Sequence, residues 1–210
     1  MSESVFAYRN IHEGGRILIL GNGPSWKQHD LSRIDCPIIG LNQAWRMRKC
    51  DYYCAADRDQ FTWYHQKHGE VESWEPLFTT WRENDDRLLP SHAIKLKPYH
   101  VNPENRKQFS LDLWQGVYLN NTIASYGFQL AVWMLGESGT IYLLGIDATG
   151  PAYDGSEIPE FKFQNQRETY AYIRGLLDGC RPGIKVYTLS QIMNSMVFDR
   201  MHFNEAFPQK

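Results

Sequence analysis

The junction Arg16-Ile-Leu-Ile-Leu-Gly-Asn-Gly-Pro-Ser25 constrains the fold more than any other stretch of the chain. The apolar run Ile17 to Leu20 reads as a short buried strand. It breaks at Gly21-Asn22-Gly23-Pro24-Ser25, where two glycines are free to take positive φ and a proline cannot join a sheet interior. Ser25, or Asn22 before it, is expected to cap a helix whose first amides point back into the turn and favour an anion such as phosphate. Buried strand, Gly/Asn loop and helix start together are how a nucleotide site opens in an open α/β sheet. The loop is neither GxGxxG nor GxxxxGK[ST], and alone it is also compatible with a tight structural turn.

Further buried strands are expected at Cys36 to Leu41, Asp51 to Ala56 and Thr140 to Gly145, an alternating strand at His92 to Leu96 and a last strand at Gly183 to Leu189. The first three strands end on the polar residues Asn22, Asn42 and Asp57. As parallel neighbours they would line the carboxyl edge of the sheet, where ligands bind in such folds. Helices are expected over Trp26 to Ile34, Asn120 to Leu135 (capped by Asn121 or Thr122), Asn165 to Leu177 and Ser190 to Val197. Strands alternating with helices over 210 residues imply one α/β domain with a mostly parallel sheet and helices on both faces. Residues 60–115 form an aromatic-rich, lid-like insert, whose tryptophans Trp63, Trp74 and Trp81 suit stacking on a sugar or nucleobase, or core filling.

A formal net charge of -2 argues against a strongly basic nucleic-acid binder, and no apolar run is long enough to span a membrane. The N-terminal Met1-Ser-Glu-Ser-Val-Phe6 lacks signal-peptide character, and Cys36, Cys50, Cys54 and Cys180 fit no disulfide framework. Both point to a cytoplasmic protein with ordinary buried thiols. The Cys50/Cys54 and His65/His68 pairs lack further ligands of zinc-site spacing.

Thr122 and Ser125 place hydroxyls in the first turn of the long helix, able to meet an anion or simply to cap it. Asp147, just past a central strand, suits a ribose hydroxyl or a metal.

Two blocks together resemble a known group. Ile17 to Ser25 followed by Gly40-Leu-Asn-Gln43 resembles the opening of bacterial lipooligosaccharide sialyltransferases. Thr122 to Gly127 followed by Ile141 to Asp147 resembles the helix and strand of their nucleotide site. The same blocks are similar to those of 6-hydroxymethylpterin diphosphokinase-like proteins. The resemblance spans about half the chain and implies a Rossmann-like fold. It implies that Gly21, Asn22 and Gly23 hug the phosphate and sugar of a nucleotide, with Asn42 hydrogen-bonding the phosphate region. Ser125 and Gly127 would hold base or phosphate, and Gly145 with Asp147 would contact the ribose side.

The sialyltransferases take a histidine downstream of this Gly-Ile-Asp strand as general base, yet Ala148 to Asp178 contains none. By elimination, Asp147, Asp154 or His202 would take the acceptor proton. Asp57-Arg58-Asp59 is a DxD sequence, which in glycosyltransferases of the other main nucleotide-sugar fold holds a divalent ion. Magnesium or manganese would suit those hard carboxylates, and an exposed charged turn would also explain them. The reading is thus a glycosyltransferase using a CMP- or UDP-linked donor and an unknown hydroxyl acceptor. Alternatives are a diphosphokinase-type enzyme using ATP and magnesium, or a non-catalytic nucleotide-binding module.

Overall fold

The computed structural model describes residues 4–56, 76–79, 93–98, 108–118, 122–148, 157–190 and 197–209. Eight strands among them form one parallel sheet: β1 (Arg16–Leu20), β2 (Ile38–Leu41), β3 (Tyr52–Cys54), β4 (Leu77–Thr79), β5 (Ile94–Lys95), β6 (Ser138–Leu144), β7 (Gly183–Thr188) and β8 (Asp199–Arg200). Their spatial order is β5-β4-β3-β2-β1-β6-β7-β8. The chain therefore builds outward from β1 to β5, returns to lay β6 on the other side of β1, and continues to β8. The reversal lies between β1 and β6, paired from Arg16–Thr140 to Leu20–Leu144. In an open parallel sheet the carboxyl ends at such a reversal splay apart and leave a crevice. The architecture is α/β and Rossmann-like.

Side-chain alternation divides the core. Ile17, Ile19, Ile141 and Leu143 pack on one face; Leu18, Leu20, Tyr142 and Leu144 pack on the other. Both sets are almost wholly buried, as the unbroken apolar strands require. The first face is covered by helices α1 (Ile123–Leu135) and α2 (Glu160–Cys180). In α1 every residue from Ala124 to Leu135 is buried, consistent with a sequence apolar all round. The buried Gln129 amide in its middle is satisfied by Ser110 N–H, Tyr118 N–H and the Tyr118 and Ser125 carbonyls. It thereby pins segment 108–118 to α1. Helix α2 is amphipathic and docks through Phe163, Tyr170, Ile173 and Leu177.

The other face carries short helical pieces rather than long helices. Where a helix from Trp26 to Ile34 is expected, two 3-10 turns occur, Pro24–Gln28 and Leu31–Arg33. With α3 (Phe203–Ala206) they bring Ile34, Phe203, Ala206 and Phe207 to that core. Strands β4 and β5 fall within the expected insert at 60–115, so part of that stretch extends the sheet. The expected helix at Ser190 to Val197 lies outside the described residues but for its ends. Among the described residues, no helix is long and apolar enough to cross a membrane.

Candidate functional site

A cavity of about 330 Å³ opens at the carboxyl edge beside the β1–β6 reversal. That volume lies at the lower end of small-molecule pockets, which run roughly 300–1,000 Å³. Its wall comes from four places: the loop after β1 (Gly21, Asn22, Gly23), the end of β2 (Leu41, Asn42, Gln43), the start of α1 (Thr122, Ile123, Ala124) and the loop after β6 (Gly145 to Ala148). Helix α2 closes it with Phe163, Gln166 and Tyr170, three residues on one helical face.

The loops after β1 and β6 are clasped together. Gly21 N–H donates to the Leu144 carbonyl at 2.8 Å, and Gly23 N–H donates to the Gly145 carbonyl at 2.7 Å. Gly145 N–H donates to Ser25 Oγ, and Ser25 N–H donates to Asp147 Oδ2, both at 2.9 Å. The backbones approach so closely that a Cβ on Gly21 would sit 2.4 Å from the Gly145 carbonyl oxygen. Gly145 itself has φ +70°, a left-handed conformation that favours glycine. The glycines are thus required by chain-to-chain contact. The expected role of Ser25 as a helix cap is replaced: Gly23 occupies the cap position of the 3-10 turn, and Ser25 staples the two loops. The amides of Gly21, Gly23 and Ser25, expected to face an anion, are engaged in this clasp.

The wall mixes apolar side chains (Leu41, Ile123, Ile146, Phe163) with the polar Asn22, Asn42 and Asp147. Asn22 Oδ1, Asn42 Oδ1 and Asp147 Oδ1 are buried without a hydrogen-bond partner. A buried polar atom left without a partner costs about 1–3 kcal/mol, and three around one cavity suit a ligand bearing donors. Asn42 and Ala148 both hold positive φ, +48° each, on opposite sides of it. Asparagine visits that region readily, whereas alanine pays about 1–2 kcal/mol for it. The start of α1 adds a partial positive charge to the wall. Thr122 caps this helix, its Oγ1 accepting from Ala124 N–H at 3.3 Å. The Tyr170 hydroxyl also hydrogen-bonds Thr122, and burial holds its pKa far above the ordinary tyrosine value, so it stays protonated.

Of the residues singled out in the sequence, Gly21, Asn22, Gly23, Asn42, Gly145 and Asp147 line this cavity. Ser25 stands behind it. Ser125 is fully buried in α1 and does not line the cavity. Neither does Gly127, whose missing side chain lets α1 pack on β1 and β2: a Cβ there would lie 2.8 Å from Leu41 Cδ2. His202 caps α3 in a capping box with Glu205 and faces a separate cleft, with His29, Asp30 and Arg33. Asp57, Asp59 and Asp154 lie outside the described residues. Among the described residues, no cluster of three or more His, Cys, Asp or Glu side chains could hold a metal ion. Sequence reasoning missed Phe163, Gln166 and Tyr170. Their i, i+3, i+7 spacing marks one helix face, but nothing local shows that this face meets a loop from β6.

No protein-family model matches the chain, and no curated protein matches its sequence. Solved structures similar to it include a point mutant of the alpha-2,3/8-sialyltransferase CstII, at 20% identity over 93% of this chain and 89% of that one, with TM-score 0.47. Another is the sialyltransferase CstII from Campylobacter jejuni in complex with the substrate analogue cytidine-5'-monophosphate, at 17% identity, 87% and 81% coverage and TM-score 0.45. A third is sialyltransferase CST-II in complex with a trisaccharide acceptor and CMP, at 20% identity, 93% and 88% coverage and TM-score 0.49. At these identities the likeness is one of overall chain path.

Proposed function

We propose that this chain is a glycosyltransferase that takes a sugar from a CMP- or UDP-linked donor and passes it to a hydroxyl acceptor. One observation carries the reading: both sequence blocks that resemble the sialyltransferases, far apart in the chain, border the same cavity at the sheet reversal. The unpartnered oxygens of Asn22, Asn42 and Asp147 suit the hydroxyls and amino group of a nucleoside. The α1 start suits its phosphate.

In the transfer the bond from the anomeric carbon to the donor phosphate breaks as the acceptor oxygen attacks that carbon. The leaving nucleotide carries off the bonding electrons, and a base takes the hydroxyl proton. Asp147 is the carboxylate in the described wall, with one oxygen fixed by Ser25 and the other unpartnered. It is assigned either this proton or a sugar hydroxyl. Asp154 remains an alternative base. His202, facing another cleft, is the weakest of the three. A divalent ion at Asp57 and Asp59 is part of the proposal and would stabilise the leaving phosphate.

The test is release of nucleotide from a panel of CMP- and UDP-sugars, with and without EDTA. Turnover of one donor, lost in Asp147→Asn with binding retained, supports Asp147 as base. Turnover that survives EDTA and Asp57→Ala/Asp59→Ala removes the metal. Nucleotide binding without turnover of any donor leaves a binding module and ends the enzyme reading.

A further inference from the structure

We propose that Arg167 is the phosphate-recognising residue of this cavity, exchanging a resting partner, Glu160, for the phosphate of a bound nucleotide. This rests on the nucleotide reading above. It answers a difficulty in the site: a phosphorylated ligand brings at least one negative charge, while the described wall holds Asp147 and no Lys, Arg or His. Three of the loop amides, those of Gly21, Gly23 and Ser25, are engaged with the β6 loop. The partial charge at the start of α1 is left to balance both anions.

Arg167 is placed to make up that deficit. It follows Gln166, which lines the cavity, on helix α2. Its Nη1 donates to the carbonyl of Ala148, itself a wall residue, at 3.2 Å. That bond holds the guanidinium at the rim and fixes a residue in left-handed conformation. Its Nη2 pairs with Glu160 Oε1. The Glu160 side chain is 73% exposed and that of Arg167 29%. An ion pair with one member mostly in water is weakly held, so a ligand can displace Glu160 at small cost. With Nη1 still held on the Ala148 carbonyl, the freed Nη2 can then donate a charge-assisted hydrogen bond to a phosphate oxygen.

The experiment compares cytidine with CMP, and uridine with UMP and UDP, by calorimetric titration into wild type, Arg167→Gln and Glu160→Gln, with circular dichroism as a check on folding. In wild type the nucleotide is expected to bind about ten- to a hundredfold tighter than its nucleoside, the range of a charge-assisted hydrogen bond. In Arg167→Gln that ratio should fall at least fivefold, with nucleoside affinity within twofold of wild type. Glu160→Gln should tighten the nucleotide and leave the nucleoside unchanged. Equal weakening of both ligands in Arg167→Gln would assign the residue a structural role through Ala148 and overturn the proposal. An unchanged ratio would also overturn it, leaving the nucleotide reading intact. Wild type that binds neither class of ligand would remove both.

Discussion

Replacing Ser25 by alanine isolates one hydrogen bond of the clasp between the β1 and β6 loops. Ser25 is 1% exposed, and its Oγ accepts the Gly145 N–H at 2.9 Å. Alanine removes the acceptor and leaves a buried amide without a partner, which costs about 1–3 kcal/mol. The backbone bond from Ser25 N–H to Asp147 is kept, so the loss is confined to one contact. For a chain of this length each kcal/mol lowers Tm by about 2–4 °C, giving a fall of about 2–12 °C. Urea unfolding should show a lower midpoint at unchanged m-value. Ser32→Ala, an exposed serine whose hydroxyl bonds only its neighbour Asp30 among the described contacts, is the control and should stay within about 0.5 kcal/mol. Gly145→Ala should be worse than Ser25→Ala, at about 2–5 kcal/mol. It forces alanine to φ +70° and sets a Cβ 2.4 Å from the Gly21 carbonyl oxygen. Ser25→Ala within about 0.5 kcal/mol of wild type, or Gly145→Ala milder than Ser25→Ala, would refute the clasp.

Gln129→Leu should destabilise by about 2–5 kcal/mol in chemical denaturation, since the Ser110 and Tyr118 amides both lose their acceptor. His12 and His29 have pKa values held below the ordinary histidine value, chiefly by burial. The unfolded chain therefore binds protons first, and stability should fall as pH drops through about 6.5. A Tm profile from pH 8 to 5 measures this slope, which His29→Gln should flatten; a Tm that rises on acidification would contradict it. Burial pushes the Cys36 and Cys50 thiols up to about 12 and Cys54 well above its usual value, whereas Cys180 is exposed. Native protein at pH 8 should react with a thiol reagent at Cys180 and, after denaturation, at all four positions.

Strands β1, β2, β3, β6 and β7 were legible because unbroken apolar runs leave few alternatives between glycine and proline punctuation. Strands β4 and β8 were not: Leu77-Phe-Thr79 and Asp199-Arg200 are too short to show a period, and pairing with a neighbour alone makes them strands. Helix α2 begins at Glu160, earlier than the expected Asn165; its first turn carries an exposed Phe161 and no inward face until Phe163, so no apolar period marks that start in the sequence. Thr122 caps α1 as one of the two expected candidates. For the site, the polar residues at the ends of β1, β2 and β6 could be read from the chain, since a strand end at a parallel edge has a known place. The function of Ser25 could not. A serine after Gly-Asn-Gly-Pro carries the same local signal whether it caps its own helix or holds a loop more than a hundred residues away.

Titration of CMP and UDP into wild type and Ala124→Trp tests the central claim most directly. Ala124 lines the cavity, is 4% exposed, and sits in the first turn of α1, so an indole there would fill the space. Saturable binding of at least one nucleotide to wild type, abolished in a folded Ala124→Trp, is the outcome this account predicts. Binding of equal strength to both proteins, or no saturable binding to wild type, would contradict it.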